Sequence, residues 1–94
     1  MKFKFKIYQA NIKAPYVFRG YEYAKRELNI DDYIKVYESK RDSSGDVNHD
    51  LEQLFIEFNC RHPRDYHARS MSTSDIIEYN GERYYCDSIG FVRI

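Results

Sequence analysis

Residues 2–8 alternate strictly, with Phe3, Phe5 and Ile7 interleaved between Lys2, Lys4, Lys6 and Tyr8. A period of two places the two sets on opposite faces, which predicts a half-buried strand. Residues 11–19 contain Pro15 and predict a loop with a short extended piece at 16–18. Residues 20–28 are rich in helix formers and bring Tyr21, Ala24 and Leu28 to one side, which predicts a short helix. In residues 33–38, Tyr33, Lys35 and Tyr37 oppose Ile34 and Val36, as a second strand requires. Residues 39–46 are polar and aperiodic and are expected to be the most mobile stretch.

The clearest helix is residues 47–58, where Leu51, Leu54, Phe55 and Phe58 recur at helical spacing. Asp46 or Asn48 can cap it, and Asp50 falls in the first turn, where the helix dipole favours an acid. Residues 59–72 include Pro63 and predict an irregular connection. Ser72, Thr73 and Ser74 are placed to cap a turn before Asp75. Asn80-Gly81 is a strong type I′ hairpin signal, because both central positions of that turn need φ > 0. Residues 76–79 and 82–87 therefore form a hairpin, and residues 90–94 add a last short strand. The expected architecture is α+β: a small mixed, mostly antiparallel sheet packed against two helices on one face, with a C-terminal β-hairpin.

Ninety-four residues suit one domain, residues 1–94, with one core. Ten Tyr, six Phe and no Trp make that core amphipathic, since each buried phenol needs a hydrogen-bond partner. No apolar run approaches the roughly 20 residues that cross a bilayer, and residues 1–10 lack the apolar segment of a signal peptide. A cytoplasmic location without membrane contact is expected, with Cys60 and Cys86 reduced. Net charge is zero, but residues 1–26 hold seven bases against one acid and residues 27–58 hold nine acids against three bases. A neutral total disfavours both a general nucleic-acid binder and a wholly acidic DNA mimic, which depend on a field of one sign.

Candidate chemistry is sparse. Cys60, His62, His67 and Cys86 could ligate zinc, but their spacing lacks the paired knuckle of zinc signatures, and His62 and His67 straddle Pro63. Cys86 lies in a predicted strand with no His beside it in sequence to activate a thiolate. No nucleophile elbow, phosphate loop or H-E-x-x-H motif occurs, so neither a catalytic set nor a cofactor is expected. Arg61, Arg64, Tyr66 and Arg69 form the best basic and aromatic cluster, which could meet phosphates and a base, or be a solvated loop. Lys2, Lys4 and Lys6 could touch phosphates but more simply guard a terminal strand against edge pairing. Asp46, Asp50, Glu52 and Glu57 are expected on an acidic, solvated helix face, with phosphate mimicry as the sharper alternative.

Phe58-Asn59, Pro63, Asp65-Tyr66, Arg69-Ser70-Met71-Ser72, Ser74-Asp75-Ile76-Ile77, Gly81, Tyr84-Tyr85, Asp87-Ser88 and Gly90-Phe91 together resemble the YodL-like family. Lys6-Ile7-Tyr8-Gln9 and Val36-Tyr37-Glu38 resemble its N-terminal half. Met71, Thr73 and Cys86 depart from the usual Leu, Val and Val; a Cys at a Val position points to packing. The resemblance implies an accessory protein of a mobile genetic element such as a phage or plasmid, and supplies no reaction. The function expected from these readings is non-enzymatic binding to a host or element protein, such as inhibition of a defence nuclease of anti-CRISPR or antirestriction type. The alternatives are a nucleic-acid-binding factor in conjugation or replication, and a structural docking module.

Overall fold

The computed structural model describes residues 1–94. In chain order the elements are β1 (Lys2–Ala10), α1 (Tyr21–Ala24), a 3-10 turn (Ile30–Asp32), β2 (Tyr33–Asp42), α2 (Val47–Cys60), β3 (Ile76–Tyr79), β4 (Glu82–Cys86) and β5 (Phe91–Arg93). The strands form one sheet in the order β2-β1-β3-β4-β5, and every neighbouring pair is antiparallel. The α+β architecture read from the sequence is present, with its sheet, two helices and C-terminal hairpins. Asn80 and Gly81 take φ of 48° and 87°, as the turn between β3 and β4 demands. Asn80 also ties that turn to β1 by exchanging bonds with the Lys4 backbone. No helix is long and apolar enough to cross a membrane.

Both faces of the sheet are covered, not one. Ile76 and Ile77 are adjacent in β3 and both fully buried, and adjacent strand residues point to opposite faces. On one face Phe3, Phe5, Ile7 and Ile77 pack against Leu51, Leu54 and Phe58 of α2 and against Tyr66 and Met71 of the following connection. On the other, Ala10, Tyr33, Ile76 and Tyr85 pack against Tyr16 and Ala24. The two helices thus lie on opposite faces. The physical signal was the consecutive apolar pairs Ile76-Ile77 and Tyr85-Cys86, which a sheet with one solvated face does not tolerate.

Three local expectations are corrected. Within residues 20–28 only Tyr21–Ala24 is α-helical; the Glu27 and Leu28 amides then both bond the Ala24 carbonyl in tight turns, which still deliver Leu28 to the second core. No extended piece forms at residues 16–18, where Tyr16 is buried in a turn and Phe18 has φ of 67°. Residues 39–46 are not irregular throughout: β2 continues to Asp42, and the Ser43 and Ser44 hydroxyls accept the Gly45 and Asp46 amides in the turn that follows. Polar Arg41 can extend the strand because its guanidinium crosses the Phe5 ring and meets Glu57 at 2.7 Å.

Candidate functional site

The polar centre of the fold is Asp75, at the entry to β3 and with no exposed surface. Its Oδ2 accepts the Ser72 amide at 3.0 Å and the Gln9 side-chain amide at 3.1 Å. Strict alternation along β1 places Gln9 on the α2 face after Ile7, where its two N–H groups also reach the Tyr66 hydroxyl at 3.2 Å and the Arg69 carbonyl at 2.9 Å. Tyr66 in turn donates to that carbonyl at 2.6 Å. Arg69 donates from Nη2 to the Ala10 carbonyl and lies 3.7 Å from Asp75 Oδ1. Asp75 Oδ1, Arg69 Nε and Ser72 Oγ are buried without a hydrogen-bond partner in the structure.

Burial pushes the Asp75 carboxyl up to about 6, against the opposing pull of the Ser72 amide, Gln9 and Arg69. Burial likewise raises the Tyr66 phenol to about 12 and holds the Cys86 thiol well above its ordinary range, with Asp75 adding to the latter effect. Cys86 is therefore kept as a neutral thiol, the opposite of the activation a nucleophile needs. Cys60 and Cys86 are both free, the first exposed and the second buried, and no group of three or more His, Cys, Asp or Glu side chains could hold a metal ion.

Of two surface grooves, one reaches this network. One, of about 420 Å3, runs past Gln9 and Arg69 between Ile12, Ile34, Val36 and the paired acids Asp31 and Asp32. The other, of about 230 Å3, lies between α2 and the turn into β5, lined by Phe55, Ile56 and Phe91 with Glu52, Asp87 and Ser88 at its polar margin. Phe55 and Phe91 meet edge to face across it, and Ile89, in the same turn, is 90% exposed.

The structure divides the residues singled out from the sequence. Arg61 and Arg64 are exposed. Tyr66 is not a stacking platform: it is buried edge-on against Phe58 and Tyr37. Arg69 turns inward to Ala10 and Asp75, so the basic loop keeps two outward guanidinium groups instead of three. Lys2, Lys4 and Lys6 stand on the opposite sheet face from that loop, over the half that α1 leaves uncovered. Lys2 pairs with Asp42 and Lys6 with Glu78. Edge protection is not their role, since β1 is interior to the sheet.

Among the acids, Asp46 caps α2 by accepting the His49 amide, Glu52 is exposed and Glu57 holds Arg41. Asp50 does not join a solvated face. It is buried, accepting the Tyr79 hydroxyl at 2.7 Å, the Ser43 hydroxyl at 3.2 Å and the Ser44 amide at 3.1 Å. The sequence placed a capped turn before Asp75, where Asp75 itself takes the Ser72 amide, and gave no role to Gln9. Its signal was a polar residue at an odd, core-facing position of β1, directly after Phe3, Phe5 and Ile7.

Comparison with curated proteins and with solved structures finds no match in either set. The model of the YodL-like domain, by contrast, matches residues 4–94. That span takes in β1 from Lys4 onward, all of both cores except Phe3, the Asp75 network and the hairpin, so the chain belongs to the family of YodL-like domains.

Proposed function

We propose that this domain is a non-enzymatic protein-binding accessory factor of a mobile genetic element, acting by contact to inhibit a host defence nuclease of anti-CRISPR or antirestriction type. The observation that carries the protein-binding part is the groove between α2 and β5, where Phe55, Ile56, Phe91 and the projecting Ile89 offer apolar surface with a polar margin. Apolar and aromatic anchors within a polar rim are the usual anatomy of a protein interface. The mobile-element setting rests on the family resemblance. A nucleic-acid role draws less support, because the lysine stripe and the basic loop occupy opposite faces and two of the three lysines are paired with acids.

The test is a cleavage assay in which the domain is titrated against purified CRISPR and restriction nucleases, beside the Ile56→Asp/Ile89→Asp variant. Both side chains are exposed, so the variant should melt within about 0.5 kcal/mol of the parent. Inhibition by the parent and its loss in the variant are expected. Unchanged inhibition by the variant would remove the groove from the reading. Tight DNA binding by the domain alone, falling steeply with salt, would replace the reading with nucleic-acid recognition.

A further inference from the structure

We infer that the outer edge of β2 pairs with the same edge of a second copy of this chain, in antiparallel register centred on Ser39. β2 is an edge strand ten residues long that pairs with no strand but β1, so its outer edge is a template for another strand, with the Lys40 carbonyl there holding the Arg41 guanidinium at 2.8 Å. A register shift between Ile7 and Tyr8 leaves Val36 without a β1 partner, whereas residues 37–42 pair regularly. The regular stretch is the part that can accept another strand.

Charge selects the register. Residues opposed in an antiparallel pair share a sheet face, so a symmetric pair is centred on a residue and sets each neighbour against its counterpart. Centring on Glu38, Lys40, Arg41 or Asp42 sets that charge against itself. Centring on Tyr37 puts the broken ladder at Val36 in the middle. Centring on Ser39 sets Glu38 against Lys40 twice and Tyr37 against Arg41 twice, with no like-charge pair.

The same register accounts for a feature the monomer leaves unexplained. Lys4 and Lys40 are directly opposed across β1 and β2, an unfavourable like-charge pair, and neither joins any ion pair. In the dimer each Lys40 gains Glu38 of the other copy. The contact is short, which places it with weak, reversible interfaces.

Sedimentation equilibrium on the full chain tests this with two single charge swaps. Lys40→Glu sets a second acid against Glu38 at each of the two crossings of the dimer, and Glu38→Lys sets a second base against Lys40. Each variant alone should be monomeric, while their equimolar mixture, in which every opposed pair is complementary, should associate at least as well as the parent. Lys40→Glu should also melt no lower than the parent, because it turns the Lys4 repulsion into attraction. A parent that stays monomeric up to about 1 mM, variants that dimerise alone, or a mixture that fails to associate would each overturn the inference.

Discussion

Replacing Asp75 by Asn should remove a loss of stability that the parent suffers as pH rises between about 4 and 7. Asp75 is buried and its carboxyl is raised from the ordinary 3.8 to about 6. A group whose folded pKa lies above its unfolded value binds protons more tightly in the folded state, so its contribution is fully present below the unfolded pKa and is lost as pH rises through the folded one. At about 1.4 kcal/mol per pH unit between the two values the whole contribution is about 3 kcal/mol, of which about 2 kcal/mol is lost between pH 4 and pH 6, a large part of what a domain this size has.

The substituted amide cannot ionise, and its carbonyl can keep the Ser72 and Gln9 bonds. Other perturbed acids act in the opposite sense and at lower pH. Burial raises Asp50, but the bonds from Tyr79, Ser44 and Ser43 outweigh it and leave it lowered, while Lys35 lowers Glu38 and Lys2 lowers Asp42. Their stabilisation is present above the ordinary carboxylate range and is lost as pH falls through their folded values. Urea denaturation of both proteins at about pH 4.5, 6 and 7.5 cancels these shared terms in the difference. The Asn variant should gain about 2 kcal/mol on the parent across that range. A difference constant within about 0.5 kcal/mol would show that Asp75 is not protonated preferentially in the folded state, and the account of the network would fail.

Two further predictions concern the α2 face. Leu54→Ala or Phe58→Ala should cost about 2 to 5 kcal/mol by equilibrium denaturation, because both side chains are buried in the larger core, where α2 otherwise contributes Leu51 and the partly buried Val47 and Phe55. Tyr79→Phe should cost about 1.5 to 3 kcal/mol at neutral pH, since ionised Asp50 stays buried and loses its 2.7 Å donor, and the cost should shrink as Asp50 is protonated in acid.

Local periodicity carried most of the fold. Alternation in residues 2–8 marked β1, the 51, 54 and 58 spacing marked α2, and Asn80-Gly81 marked the hairpin, because each is a short-range constraint of backbone geometry. What sequence order hid is tertiary. Asp50 and Glu52 look alike on paper, yet the 43–46 turn folds back over one and leaves the other in water. Arg61 and Arg69 belong to one basic run, but only Arg69 comes within reach of the Ala10 carbonyl of β1 and of the Asp75 carboxylate at the entry to β3. Tyr66 read as a stacking aromatic because its burial depends on Phe58 and Tyr37, which are distant or on another element.

The positions that carry the family resemblance are largely those that join the two layers covering the sheet. Ser74, with φ of 87°, accepts the Phe18 amide through its hydroxyl and the Tyr33 hydroxyl through its carbonyl. Asp87 accepts the Tyr21 amide at 3.0 Å, at a point where a Cβ on Gly20 would stand 2.9 Å from the same oxygen. Asp75 and Arg69 join β1, the connection after α2 and the entry to β3. Each of these bonds spans more than forty residues and fixes the residues 11–32 segment or the basic loop against the sheet. A pattern built from such residues specifies how the domain holds together. Ile56 and Ile89 beside the α2 groove and Lys40 at the open edge of β2 lie outside it and are free to choose a partner, with Glu38 the one such position inside it. Substitutions at those four should alter association while leaving the fold intact, whereas substitutions at Ser74, Asp75 or Asp87 should act on the fold first.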